Sequence, residues 1–122
     1  FNKIDNCKII GDRDKLIEIF TNLIDNSIKY SDKNKEIIIT AKKDEDLIII
    51  SVADQGIGIP KESIHRITER FFTVDPSKSR SVGGTGLGLA IVKHLVSQHR
   101  AEMNIKSIEN QGTTIDIKFN SL

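Results

Sequence analysis

Apolar positions along the chain change period several times, and each change marks an element. From Arg13 to Tyr30, the residues Leu16, Ile17, Phe20, Leu23, Ile24 and Ile28 recur every three or four positions, which predicts a helix with one apolar face. Gly11 and Asp12 precede it as a turn and an N-cap. Upstream, the short apolar stretch Cys7 to Ile10 reads as a strand. Polar residues from Ser31 to Lys35 break the helical period, and two Ile-rich runs follow, Ile37 to Ala41 and Leu47 to Val52. The charged turn Asp44, Glu45, Asp46 between them predicts a hairpin of largely buried strands. Pro60 fits the first position of a short helix from Lys61 to about Thr68, where its missing N–H costs nothing. Phe71 to Thr85, about fifteen residues without a period, is long for a connection and reads as a functional loop. From Gly86 the pattern Leu87, Ala90, Ile91, Leu95 predicts a second long helix ending near His99. Two alternating runs, Met103 to Ile108 and Thr114 to Phe119, flank Asn110, Gln111 and Gly112 as a final hairpin.

Composition narrows the class. The chain has 122 residues, 38% of them apolar and 29% charged, enough for one domain with one core and too apolar for intrinsic disorder. Eighteen Lys and Arg against seventeen Asp and Glu give a net charge of +1, so the chain as a whole carries no electrostatic footprint for nucleic acid or an anionic membrane. The single cysteine, Cys7, excludes an internal disulfide framework and any Cys-based metal cluster. No apolar run approaches the roughly 18 residues of a membrane span, so a cytosolic domain without direct membrane contact is expected. The first residue is Phe1 rather than Met, which suggests a piece of a longer protein.

Six of the eight glycines fall into two clusters, Gly56 and Gly58 after a strand, and Gly83, Gly84, Gly86 and Gly88 before a helix. Glycine lets the backbone come close to a ligand, and the free N–H groups at the start of the second helix favour an anion such as phosphate. Neither the P-loop nor the dinucleotide fingerprint fits this spacing, and the signature motifs of protein serine and tyrosine kinases are absent. On the first helix, at about 100° per residue, Glu18, Asn22, Asn26 and Lys29 share an arc of roughly 80°. Taken alone this stripe reads as a solvated helix face. Amide oxygens beside a carboxylate and an ammonium also suit a hydrated Mg2+ held between protein and phosphates.

Four segments carry a family resemblance. Asn22-Leu-Ile-Asp-Asn26-Ser-Ile-Lys29-Tyr30 looks like the N box of sensor histidine kinases, and Asp54-Gln-Gly56-Ile-Gly58-Ile-Pro60 like their G1 box. Glu69-Arg-Phe71-Phe72 resembles the F box, and Gly83-Gly84-Thr85-Gly86-Leu87-Gly88-Leu-Ala-Ile-Val the G2 box. Order and spacing match throughout. The resemblance implies an α+β domain with the Bergerat fold of the gyrase, Hsp90, histidine kinase and MutL superfamily, a two-layer sandwich with a mixed sheet of about five strands and three helices on one face. It implies a catalytic and ATP-binding domain that donates the γ-phosphoryl group of Mg-ATP to a histidine on a separate dimerisation domain of the same protein, with a response regulator downstream.

Carried over by position, the resemblance makes Asn26 a Mg2+ ligand with Asn22 beside it, sets Lys29 near the phosphates and places Tyr30 against the base. Asp54 would accept a hydrogen bond from the adenine amino group, and guanine, with a carbonyl there, would be rejected. Thr113 matches a threonine near the same base edge. Gly84, Thr85, Gly86, Leu87 and Gly88 would wrap the phosphates beneath a lid from Phe71 to Val82, and Glu18 would polarise the attacking imidazole. The sequence departs from the pattern in three places. Thr73 replaces an arginine, leaving Lys78 or Arg80 to supply its charge; Arg100 and Ala101 replace the glycines after His99; and Ser27 replaces an alanine. His65, His94 and His99 lack the surroundings of a phosphoacceptor and read as surface or capping residues. The rival readings are a nucleotide-binding regulatory module that has lost transfer, and an anti-sigma-factor serine kinase.

Overall fold

Helix α1 runs over Arg13–Lys29 and starts at Asp12, whose carboxylate accepts hydrogen bonds from the backbone N–H groups of Asp14 at 3.0 Å and Lys15 at 3.1 Å. Two donors that the first turn would leave unpaired are thereby satisfied. This computed structural model describes residues 3–4, 9–32, 34–70, 72 and 88–120. Within them, a two-residue strand β1 (Lys3–Ile4) precedes α1, and strands β2 (Ile37–Asp44) and β3 (Leu47–Asp54) follow it. A 3-10 turn at Lys61–Ser63, helix α2 (Gly88–Gln98) and strands β4 (Glu102–Ile108) and β5 (Gly112–Asn120) complete the order.

The sheet order is β1-β2-β3-β5-β4, with β1 parallel to β2 and every other pair antiparallel. Register aligns the inward side chains in rows. Ala41, Ile50, Ile117 and Met103 form one, and Ile39, Val52, Ile115 and Ile105 the next. Both helices cover this face, α1 with Ile19 and Leu23 and α2 with Val92, Leu95 and Val96, and together these residues make the buried core. Alternation turns Lys42, Ser51, Asp116 and Lys118 to the other face, where the Ser51 hydroxyl donates to Asp116. The expected mixed-sheet sandwich with helices on one face is therefore present.

Three expectations are corrected in detail. The segment after Pro60 is not an α-helix; it makes successive i to i+3 bonds, from Ser63 N–H to Pro60 O, Arg66 N–H to Ser63 O and Glu69 N–H to Arg66 O, each 2.9 Å. Only Ile67 there is buried, so too little packing rewards a regular helix, and the tighter turn prevails. The predicted strand at Cys7 to Ile10 is absent at Ile9 and Ile10, while Cys7 and Lys8 lie outside the described residues. On α1, Ile17 and Ile28 are 51% and 59% exposed, and Ile19, missing from the predicted face, is fully buried. The sheet and α2 together pull the buried face toward Ile19, Leu23 and Ser27.

The end of α2 locks onto the start of α1. His99 Nδ1 lies 2.8 Å from Leu95 O and its Nε2 accepts the Asp12 N–H at 3.1 Å, an assignment that requires the neutral ring with its proton on Nδ1. The ring also meets Phe119 edge-on, with centroids 6.5 Å apart. His99 thus caps two helices, as its place at a helix end suggested. Arg100 follows with φ 53°, the left-handed conformation glycine adopts without cost, and Ala101 N–H closes back on Val96 O at 3.1 Å. The departure from glycine leaves the exit intact but strained. Arg100→Gly should therefore stabilise the fold by about 0.5–1 kcal/mol, after the extra chain entropy of glycine is subtracted, and urea denaturation should show a higher midpoint.

Candidate functional site

Beyond the two apolar rows, the next inward positions of the sheet are polar on three adjacent strands: Asp54 ends β3, Thr113 is the second residue of β5 and Ser107 lies near the end of β4. Asp54 organises this end. Its Oδ1 accepts from the backbone N–H of Gly56 at 2.9 Å and of Thr113 at 3.1 Å, and its Oδ2 accepts from the Ser27 hydroxyl at 3.1 Å. A carboxylate offers about four acceptor sites, so among the described residues three are filled and one on Oδ2 is open. That open site suits a donor such as an amino group. Beside it, the Ser107 hydroxyl donates to Gly112 O at 3.0 Å and receives the Ile59 N–H at 2.7 Å, which leaves Thr113 Oγ1, 2.8 Å away, to donate to it.

Gly56 and Gly58 bring backbone to backbone. A Cβ at Gly56 would lie 2.4 Å from Tyr30 O and 3.0 Å from both Asp54 Oδ1 and Ser31 Oγ, so only glycine fits. Gly58 has φ +70°, and a side chain there would strike Ile108 O. These approaches close the turn after β3 onto the end of α1, where Ile57 N–H donates to Tyr30 O at 3.1 Å, and onto the β4–β5 turn, where Asn110 N–H donates to Ile57 O at 2.6 Å. Tyr30 and Gly56 border a cleft of about 460 Å3 with Asp32, Lys35, Asn110 and Gln111. The Ser31 hydroxyl next to Gly56 is buried without a partner.

One residue of the polar stripe of α1, Asn22, faces the start of α2. Asn22 Nδ2 donates to Glu18 O at 2.8 Å, which leaves Asn22 Oδ1 as an acceptor directed toward Gly88, 3.5 Å from where a Cβ of that glycine would stand. The N-box stripe and the last G2-box glycine, 66 positions apart in the numbering, thus meet. Asn26 lies one turn further along α1 and is partly buried, and Glu18 is exposed. Lys29 pairs with Asp25 at 2.9 Å on the exposed side. At the other margin, the Arg66 guanidinium stacks 4.5 Å above the Phe72 ring and also bonds Glu69 at 3.3 Å. Lys78, Arg80, Gly84, Thr85, Gly86 and Leu87, with most of the expected lid, lie outside the described residues.

Residues 11–121 match the family described as histidine kinase-, DNA gyrase B- and HSP90-like ATPases. The chain belongs to this family. It is 43% identical over 106 residues to the sensor histidine kinase WalK of Bacillus subtilis, covering 85% of this chain and 17% of that protein. It is also 43% identical over 109 residues to the phosphate regulon sensor protein PhoR of Pseudomonas aeruginosa, covering 89% of this chain and 25% of that one. A mycobacterial sensor histidine kinase, MprB, superposes with a TM-score of 0.85 at 30% identity over 98% of this chain and 78% of that chain. The chain thus spans between a sixth and a quarter of the length of these two curated relatives.

For a histidine kinase-like ATPase fold, the site end contains two residues that the sequence did not single out for it. Ser107 went unassigned, although it breaks an inward series of Met103 and Ile105. Ser27 was noted only as a change near the apolar face, yet it is the donor to Asp54 Oδ2. A polar residue at an inward position is the signal in both cases. Asp54 is consequently a structural residue in its own right. Asp54→Ala would strand two backbone donors and a hydroxyl, whereas Asp54→Asn can still accept both backbone bonds. Denaturation without nucleotide should show Asp54→Ala losing about 2–4 kcal/mol and Asp54→Asn clearly less. Equal losses would mean that those three bonds contribute nothing to the fold.

Proposed function

We propose that the chain is the catalytic and ATP-binding domain of a sensor histidine kinase, occupying residues 1–122, and that it presents the γ-phosphoryl group of ATP to a histidine on a separate dimerisation domain. A response regulator would act downstream. The observation that carries this reading is the open acceptor site of Asp54, at one end of a site whose other end joins the Asn22 amide oxygen to the start of α2. Asp54 holds the adenine amino group, Thr113 lies at the same edge, and Tyr30 flanks the base. The first turn of α2 contains no acidic residue that would repel phosphate oxygens, and a helix N-terminus favours an anion. A solved structure of full-length ShkA, 25% identical with a TM-score of 0.81, is a complex with AMPPNP, which supports a nucleotide at this fold.

The donor set also fits magnesium. Asn22 offers a carbonyl oxygen, Asn26 adds a second amide on the same stripe, and a hard, hydrated cation prefers oxygen ligands of this kind. When bound, Mg2+ would neutralise charge on the phosphates. The residues of the chain then contribute chiefly orientation, with Glu18 placed to accept a proton from an incoming imidazole, because phosphoryl transfer asks more for positioning than for covalent chemistry. Lys78 and Arg80 would supply cationic contacts in place of Thr73. No described helix is long and apolar enough to cross a membrane; a domain on the cytoplasmic side of a membrane-bound sensor suits this reading.

Asn26→Ala should leave the melting temperature without ligand nearly unchanged while removing the gain in ATP affinity that Mg2+ provides. Calorimetric titration with and without Mg2+ checks this, and an undiminished gain would remove Asn26 from the metal. In the full-length protein, incubation with radiolabelled ATP should label a histidine. Binding without labelling would favour the regulatory module.

A further inference from the structure

Ser27 is the one polar residue buried as a whole among the described residues, 5% exposed on the core face of α1 beside Leu23 and Ile19. Alanine would fill almost the same space and is the better helix former, so neither packing nor propensity accounts for the oxygen. Its recorded contact is the 3.1 Å bond to Asp54 Oδ2, which spans 27 positions of sequence and joins the helix layer to the end of the central strand. The other oxygen of Asp54 already receives two backbone N–H groups. With Oδ1 held and one acceptor site of Oδ2 filled from the core side, a ligand donor can approach Asp54 from a single direction.

The geometry points to Ser27 as a positioning residue that acts through Asp54: its hydroxyl fixes the carboxylate so that the one open acceptor site meets the exocyclic amino group of the base. This rests on the adenine reading of Asp54 and deepens it. A carboxyl group turns about its terminal torsion in a broad, two-fold well, and backbone donors on one oxygen alone leave the second oxygen free to present either lone pair. The Ser27 bond removes that freedom before the ligand arrives, which lowers the ordering cost of binding. The gain should be confined to ligands that donate to Asp54.

Two nucleotides separate this from a structural role: ATP, and purine riboside triphosphate, which carries hydrogen where adenine carries its amino group. In calorimetric titrations the parent should prefer ATP. Ser27→Ala should weaken ATP by about threefold to tenfold, the share of one indirect hydrogen bond to a charged group, and leave purine riboside triphosphate affinity unchanged. Equal weakening of both nucleotides, or no weakening of ATP, would overturn the proposal while leaving Asp54 as the base reader. A parent that does not distinguish the two nucleotides would remove the adenine reading, and this inference with it. If Ser27→Ala fails to fold, Ser27→Cys, which keeps the shape but donates weakly, takes its place and the same two-nucleotide ratio decides.

Discussion

A half-buried carboxylate at the inward end of a sheet needs hydrogen-bond donors, and the fold is arranged around meeting that demand for Asp54. The donors come from three separate places: the turn that leaves β3, the first residues of β5, and the last turns of α1. The Thr113 and Ser27 bonds each fix one element against another, while the Gly56 bond, two residues along the chain, shapes the turn itself. The antiparallel register of β3 with β5 brings Thr113 to the carboxylate, the close approach of Gly56 to Tyr30 O folds the β3 exit back beneath it, and Ser27 ties the helical layer to the same atom pair. Gly112, at φ +144°, is pressed so close to Asp54 O that no side chain could stand there.

This arrangement divides the core by chemistry. Through most of its length the space between sheet and helices is filled by Ile, Leu, Val and Phe, which pack without direction. At the Asp54 end the same inward positions carry Asp, Thr and Ser on the strands and Ser on the helix, and hydrogen bonds replace packing. Directional contacts specify where each atom sits, so this end is suited to holding a carboxylate in one orientation. The apolar remainder stabilises the fold that carries it.

Much of this was legible. The period of α1, its Asp12 cap, the two hairpins and the body of the second helix follow from spacing and capping chemistry, because in each the local preference and the tertiary demand agree. The site motifs were legible through their fixed spacing and their resemblance to a known family. What spacing could not supply was azimuth. Ile17 and Ile28 satisfy the same three-and-four pattern as Leu16 and Leu23, and only the position of α2 decides that Ile19 is inside and those two are outside. The turn after Pro60 failed for a related reason, since a cap signal predicts a helix only where an apolar face follows, and Ile67 alone is too little.

The glycines show the limit of reading a motif from its letters. Clustered after a strand, Gly56 and Gly58 suggest backbone opened to a ligand, yet their missing side chains make room for Tyr30 O and Ile108 O, two carbonyls of the protein itself. What they do for the fold is clear. By letting the β3 exit pack against α1 on one side and the β4–β5 turn on the other, they aim the Gly56 N–H at Asp54 and the Ile59 N–H at Ser107. A side chain at Gly56 would first displace the Tyr30 carbonyl, and the carboxylate would lose its donor before any ligand was met. Glycine at that position is thus required by the protein's own contacts, whatever the bound nucleotide adds.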